Sequence, residues 1–273
     1  MGLRIINRRP GRGSALFWGA LPFLAVLALY LVFSTLRLAE NPNDKLLPAL
    51  STIADTVGRL AFSFDQRTGQ ILLWADSAAS LSRLGYGLAV SAAIGLVVGI
   101  GSGLVPFIRA GLAPSIAVVS LIPPMALLPI LFISFGLGEL SKVVLIVVGV
   151  APFLVRDLAM RVEAIPAELI IKAQTLGAST WQIVTRLVLP TMLPKLIDAL
   201  RLSLGPAWLF LISAEAIAAQ DGLGYRIFLV RRYLAMDVIL PYVAWITLLA
   251  FLMDWGLRTL NRRISPWLTR GAA

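Results

Sequence analysis

Leu81–Gly103 is a run of 23 residues in which Arg83 is the sole charged side chain. As a helix it spans roughly 34 Å at 1.5 Å per residue, enough to cross a hydrocarbon core of about 30 Å. Five further apolar runs share the pattern, at about Ser14–Leu38, Ile108–Phe135, Ser141–Arg156, Leu193–Ile217 and Val238–Leu257. The fourth span in chain order, Ser141–Arg156, is short, so it is expected to start within protein rather than in lipid. Composition agrees: 59% of the residues are hydrophobic and 14% charged, with a mean hydropathy of +0.88. In lipid every backbone polar group must be satisfied internally, which leaves helices or a closed barrel. The runs are too long and continuous for barrel strands. The expectation is an all-α polytopic membrane protein with six transmembrane helices.

The chain has neither Cys nor His. Disulfides, thiolate or imidazole metal sites and His-based catalysis therefore lie outside its chemistry. No G-x-x-x-x-G-K-[S/T] occurs, so the chain builds no P-loop of its own; if ATP is used, another subunit binds it. The formal charge of +10 is distributed as an integral membrane protein requires, not as a nucleic-acid patch. With the N-terminus placed in the cytoplasm, fifteen of the 24 basic residues fall inside: Arg4, Arg8, Arg9, Arg12, Arg109, Arg156, Arg161, Lys172, Arg186, Lys195, Arg201, Arg258, Arg262, Arg263 and Arg270. Five of the 14 acids join them, so the inside holds the whole +10 excess and the outside nets zero. Positive-inside orientation thus puts both termini in the cytoplasm. The N-terminal apolar run exceeds a signal-peptide h-region of about 7–15 residues and lacks a small-x-small cleavage site, so a retained first span is expected.

The organisation that follows is a cytoplasmic N-terminus with the first span (1–38), an outer segment (39–80), a core of five spans (81–257) containing a cytoplasmic loop (157–192), and a cytoplasmic tail (258–273). In the outer segment Leu50, Ile53, Ala54, Val57, Leu60 and Ala61 recur at helical spacing and predict an interfacial helix. Asp65–Gly69 reads as a polar turn.

Several motifs interrupt the spans. Gly95, Gly99 and Gly103, continued by Gly87 and Ser91, form a small-residue stripe suited to close helix packing, either as a static seam or as one that slides. Pro123, Pro124 and Pro129 interrupt the third span; kinked backbone of this kind is tolerated in a membrane against protein or a water-filled cavity. A pore-lining kink at Pro123, Pro124 and Met125 is weighed against a packing kink. Ser213-Ala214-Glu215 ends the fifth span, with Glu215 as a solvated rim or as a gate at a pore mouth; Trp208 within that span is weighed as packing against a substrate platform. Gly222 and Gly224 follow in a turn that positive φ would permit. Glu139 and Lys142 are expected to pair as a cap.

One polar island stands apart. Glu163–Pro190 reads as a helix, a break at Gly177, and a second helix ended by Pro190. Leu169, Ile170, Ala173 and Leu176 mark an apolar face on the first helix; Trp181, Val184, Leu187 and Val188 mark one on the second. An apolar stripe on a hairpin outside the membrane suits docking to a partner. This island resembles the cytoplasmic EAA loop of ABC-transporter permeases: Glu-Ala-Ala, three residues, Gly, nine residues, an aliphatic, any residue, then Leu-Pro. Ala173, Gly177, Leu187, Leu189 and Pro190 fall on the pattern, Ile171 stands where the Glu is expected, and Lys172 replaces the first Ala.

The resemblance extends from Leu47 to Trp267. Ser80-Leu81-Ser82-Arg83, Ile122–Pro129, Phe135–Lys142, Ala207-Trp208 through Ala214-Glu215, and Gly222-Leu223-Gly224-Tyr225 follow in the order seen in permeases of the nitrate/sulfonate/taurine/bicarbonate ABC importers. That resemblance implies a type I importer fold in the bacterial inner membrane. The partners implied are a second permease copy, two ATP-binding subunits that hold ATP and Mg, and a periplasmic or lipid-anchored binding protein. This chain would carry no cofactor and no catalytic residue. Pro166–Leu176 would be the coupling helix, with Glu168, Ile171, Lys172, Ala173, Leu176, Gly177, Ala178, Trp181, Leu189 and Pro190 at the ATPase contact. The translocation pathway would involve Pro123, Pro124, Met125, Trp208, Ser213, Glu215, Gly222 and Gly224. The family favours small oxyanions and also contains permeases for neutral or cationic metabolites. No Lys or Arg is placed mid-span in spans two to six, which suits an importer that leaves selectivity to its binding protein. A stand-alone secondary transporter would usually show intramembrane acids or paired broken helices, and a membrane enzyme would need clustered chemistry; neither pattern is present in the sequence.

Overall fold

A computed structural model describes residues 11–42, 44–66 and 68–266, and they fold almost wholly into helices. Helix α1 is Arg12–Glu40 and α2 is Leu50–Phe62. Helix α3 is Leu72–Leu104, α4 is Pro106–Leu121 and α5 is Leu128–Phe135. Helix α6 is Glu139–Glu163, α7 is Ala167–Thr175 and α8 is Thr180–Ala218. Helices α9, Leu223–Arg231, and α10, Met236–Ile264, follow. By length and composition α1, α3, α6, α8 and α10 are each able to cross a membrane, and α4 with α5 forms a bent pair that is apolar and long enough, taken together, to be a sixth span. The basic residues Arg4, Arg8, Arg9 and Arg270, and Trp267, lie outside the described residues.

Helix α6 occupies the centre, packed along α3 on one side and α8 on the other. Its Ile146, Leu154 and Leu158 are fully buried, as are Leu84 of α3 and Leu211 of α8. The glycine stripe of α3 is what allows this. A Cβ on Gly87 would lie 2.6 Å from the Ile146 side chain, and on Gly103 2.6 Å from Val162. At Gly95 and Gly99 it would meet Leu154 and Leu158 at 2.9 Å each. Each glycine therefore receives a large aliphatic of α6, one turn after another, and dispersion across the seam replaces the hydrophobic drive that lipid removes. Gly95–Gly99 is itself a π-turn, a wider coil that re-aims the last segment of α3 so that Gly103 also faces α6.

Three expectations from the sequence change, and a fourth, the proline interruption of the third span, is met by a sharp break. The second span begins at Leu72, not Leu81, so Ser80 and Arg83 lie within the helix and the outer segment is shorter. No Gly or Pro breaks 72–82, and its polar side chains find partners in the protein instead of in water. The fourth span is not short: α6 has 25 residues, because Asp157 and Arg161 pair one turn apart at 2.6 Å and carry the helix through the charged stretch. Arg156 consequently lies inside a spanning helix. The third span breaks sharply. Ile122 is extended ahead of Pro123, as the proline ring requires of its predecessor, and the two halves diverge by 84°. Finally, Pro190 does not end a helix. It follows a π-turn at Val184–Val188, which opens the coil where the ring would clash with the preceding turn, and the helix runs on to Ala218.

At the end of the bundle remote from α7, an ionic network locks α3, α6, α8, α9 with the turn before it, and α10 together. Glu215 of α8 is fully buried. Its carboxylate accepts from Arg83 Nη1 at 2.7 Å, from Ser80 Oγ at 2.8 and 2.9 Å, and from the Gly224 N–H at 2.9 Å. Arg83, 4% exposed, also binds Glu139 at the start of α6 and Asp221 in the α8–α9 turn, Nη2 lying 2.5 Å from the Asp221 carboxylate. Lys142 pairs with Glu139 at 2.7 Å, as expected of a helix cap. Buried Asp76 completes the set: it accepts from Arg226, Tyr242 Oη and the Gly222 N–H at 2.8, 2.9 and 3.0 Å. Glu215 is thus no solvated rim; a carboxylate at a helix end stays dry when a guanidinium is buried against it.

The peripheral elements attach more lightly. Helix α2 packs on α10, with Thr56 Oγ1 donating to Asp237 at 3.0 Å. Asp65 accepts from Thr68 in the expected polar turn; Arg67 lies outside the described residues. Ser34 and Tyr30 of α1 donate to the Leu47–Pro48 carbonyls, while its apolar side chains remain largely exposed. In the last turn of α1, Arg37 binds Asp44 beyond the helix and holds that carboxyl below the usual carboxylate range.

Gly103→Leu is expected to push α3 off α6 and destabilise the detergent-solubilised protein by about 1–3 kcal/mol. Gly101→Leu, where a Cβ meets only the tip of Ile108 at 3.9 Å, should be tolerated; equal melting temperatures for the two variants would refute the close seam. Arg83→Met leaves a buried carboxylate unpaired and should cost about 3–5 kcal/mol. Lys142→Met leaves Glu139 paired with Arg83 and should cost under about 1 kcal/mol, measured by the same thermal unfolding.

Candidate functional site

Helix α7 and the first turns of α8 form the hairpin expected of the polar island. Pro166 precedes α7 in an extended conformation, as its fixed φ favours. After Leu176 the chain reverses at Gly177, whose φ of 80° lies in the left-handed region that suits glycine. The Ala178 N–H closes the turn on the Ala173 carbonyl at 3.0 Å. Ser179 then starts α8 with a capping box: its hydroxyl accepts from the Gln182 N–H, and the Gln182 side chain accepts from the Ser179 N–H at 2.8 Å. Gly177, Ala178 and Ser179 therefore fix the angle between the two arms.

The apolar residues of the hairpin divide in a way that spacing alone did not separate. Ala173, Ala178, Val184, Leu187 and Leu189 pack against the core, and Val188 is fully buried. Leu169, Ile171, Leu176 and Trp181 stand out, Leu176 at 79% and Trp181 at 72% exposure. Glu168 and Lys172 are exposed one turn apart, and Pro190 is half-buried. An apolar patch around an aromatic, rimmed by charges, has the composition of an interface core.

The eight residues expected along a pathway fall into three surroundings. Pro123 and Met125 are exposed at the bend, with Pro124 half-buried beside them. Ser213 is half-buried on α8, its hydroxyl donating to the Leu209 carbonyl at 2.8 Å. Trp208, 4% exposed, is core packing, with its indole N–H unpartnered. Glu215, Gly222 and Gly224 belong to the ionic network. There Gly222 has a φ of 113°, and a Cβ on it would meet the Glu215 carboxylate at 2.5 Å; a Cβ on Gly224 would meet the Ile212 carbonyl at 2.7 Å. Both glycines let the turn close over the buried charges.

Sequence reasoning missed Asp76, Arg226 and Tyr242. Asp76, Ser80 and Arg83 recur at i, i+4 and i+7, a polar stripe on one face of an apolar helix, and that spacing was the available signal. It also missed a cavity of about 420 Å³ between the bend, α6 and α8, walled by Ser120, Pro124, Gly149, Phe153, Arg156 and Phe210 among others. Among the described residues no cluster of acidic side chains is placed to hold a metal ion.

Residues 91–266 match the family described as the binding-protein-dependent transport system inner membrane component. The taurine transport system permease protein TauC of Escherichia coli is 38% identical, over 89% of this chain and 86% of its own length. The bicarbonate transport system permease protein CmpB of Synechococcus elongatus is 30% identical, over 90% of this chain and 86% of its own. The putative aliphatic sulfonates transport permease protein SsuC of Bacillus subtilis is 27% identical, over 96% and 92%. Among solved structures, a bacterial ABC transporter for alginate import shares the fold at a TM-score of 0.63 and 14% identity, over 93% of this chain and 97% of its own. The inward-facing MetNI methionine ABC transporter does so at 0.58 and 23%, over 70% and 95%. With the hairpin, the broken third span and these matches together, the chain belongs to the binding-protein-dependent inner-membrane permeases: it is a multi-pass permease subunit of an ABC importer, and not the subunit that performs catalysis.

Proposed function

We propose that this permease carries a small oxyanion of the sulfonate or bicarbonate class across a bacterial inner membrane. The observation that carries the substrate class is the set of full-length relatives named for taurine, aliphatic sulfonates and bicarbonate. The chain works as a pair of copies, receives substrate from a periplasmic or lipid-anchored binding protein, and is driven by two ATP-binding subunits that hold ATP and Mg. Both termini and the α7–α8 hairpin face the cytoplasm, because the basic excess lies on that side.

The exposed patch of Leu169, Ile171, Leu176 and Trp181 is the ATPase contact in this reading, with Glu168 and Lys172 at its rim. Such a patch costs free energy in water and gains it back in a partner's groove. Ala173, Ala178, Leu189 and Pro190 contribute from beneath, by holding the hairpin on the core, and Gly177 sets its angle. Ile171→Glu, which restores the usual family residue, should be accepted. The pathway positions are exposed Pro123 and Met125 and half-buried Pro124 and Ser213; Trp208, Glu215, Gly222 and Gly224 act through packing rather than by touching substrate.

The reading is tested in proteoliposomes holding the permease, its ATPase and its binding protein. Uptake of taurine, methanesulfonate or bicarbonate driven by ATP is expected; uptake confined to neutral or cationic solutes would refute the substrate class. Leu176→Glu and Gly177→Val should each reduce ATPase co-purification and substrate-stimulated ATP hydrolysis by about ten-fold or more, with membrane insertion retained. Parent-level retention of the ATPase in both would remove the hairpin as the coupling element. For orientation, single cysteines introduced at Ser63 and Gln174 into this Cys-free chain should react with an impermeant thiol reagent from opposite sides. Reaction from one side only would overturn the topology.

A further inference from the structure

We propose that Arg156 is an anion-contact residue of the translocation pathway, binding the oxyanion transiently on its way to the cytoplasm. The inference rests on the oxyanion reading above and adds a selectivity element inside the permease itself. Arg156 lies 17 residues into α6, about 26 Å from its outer end and about 10 Å from Glu163. It is exposed on a helix otherwise apolar over most of its length. A guanidinium at that depth faces protein or a water-filled space, because lipid does not accept it.

The surroundings identify that space. Arg156 and Met160 line both the 420 Å³ cavity under the bend and a second one of about 190 Å³ between α4 and α6 toward the hairpin. Arg156 thus stands where the two meet, along a line from the broken third span to the cytoplasmic side. Its charge is uncompensated. Asp157, in the same cavity, is taken by Arg161 at 2.6 Å, and Glu163, in the lower cavity, by Arg109 at 2.8 Å. Among the described residues Arg156 forms no ion pair or hydrogen bond of its own. The buried cation Arg83, by contrast, is saturated by three carboxylates.

The chemistry matches the ligand class. A planar guanidinium offers paired N–H donors to two oxygens of a sulfonate or a bicarbonate. One net positive charge, with the neighbouring Asp157–Arg161 and Arg109–Glu163 pairs neutral, attracts an anion without assembling a trap. Transport requires such binding to be favourable enough to enter and weak enough to leave. Ser120 in the same wall supplies a hydroxyl, though it donates to the Ile116 carbonyl at 2.6 Å and keeps only acceptor capacity, so the arginine is the principal donor there.

The chain has no Cys, which allows a charge-restoration test. Arg156→Cys is assembled with the ATPase and binding protein in proteoliposomes, and uptake of taurine, methanesulfonate and bicarbonate is measured before and after treatment with methanethiosulfonates. The variant should lose about ten-fold or more of the anion uptake rate. Aminoethyl methanethiosulfonate, which puts a positive charge on the thiol, should restore most of it; the sulfonatoethyl reagent, which adds a negative charge, should not. The untreated and treated parent complex controls for cysteines in the partner subunits. Restoration by charge separates a contact role from a packing role, since both adducts have similar bulk. Unchanged uptake in Arg156→Cys, equal restoration by the two reagents, or a thiol inaccessible to both would overturn the assignment while leaving the oxyanion reading intact. A parent complex that imports only neutral or cationic solutes would overturn both.

Discussion

The buried pair of Arg83 and Glu215 is the contact on which the rest of the structure depends. It joins α3 to α8, and through Glu139 and Asp221 it reaches α6 and the turn into α9. A buried ion pair contributes little net stability compared with apolar packing, since desolvation consumes most of the attraction. What it does supply is register. A carboxylate with three donors around it fits in one arrangement only, and sliding any of the four segments by a turn would leave a charge unpaired in a low dielectric. Gly222 and Gly224 follow from the same demand, because their N–H groups must come close enough to reach Asp76 and Glu215.

At the other end the constraint is steric. The stripe from Gly87 to Gly103 lets α6 lie against α3 along its length, and each large aliphatic of α6 fills the space a Cβ would take. Helix α6 is therefore held by two kinds of physics: a charge network where it begins and close packing along its course. This leaves its opposite face, with Phe153, Arg156 and Met160, turned toward the cavities under the bend.

The continuity of α8 gives this arrangement a mechanical consequence. One helix of 39 residues begins inside the hairpin, at Thr180, and ends just past Glu215. Because Pro190 sits after a π-turn instead of terminating the helix, the hairpin arm and the spanning segment are one body about 58 Å long. In the proposed coupling, a push on the exposed patch reaches the ionic network along one continuous helix. The bend at Pro123 is the contrasting element, since its backbone is extended for two residues between helices and breaks the span where α8 stays continuous.

Residue order alone determined the membrane, the helical class, the span count, the hairpin and its turn at Gly177. Those follow from local properties: run length, hydropathy, and a glycine where no other residue is comfortable. Tertiary structure decided which polar residues are buried and which apolar ones are exposed. Glu215 looked solvated because an acid at a span end usually is; only the arrival of Arg83, 132 positions away, keeps it dry. Leu176 and Ala173 share a helix face by spacing, yet one is exposed and the other packed against the core, a division that only the assembled bundle makes. Pro190 reads as a stop signal until the π-turn before it is seen, and Arg156 reads as the end of a span until the Asp157–Arg161 pair carries the helix past it. For Glu215 the deciding partner is remote in sequence, for Pro190 it is a backbone geometry that no residue type announces, and for Arg156 it is a local pair whose effect appears only once the helix is built.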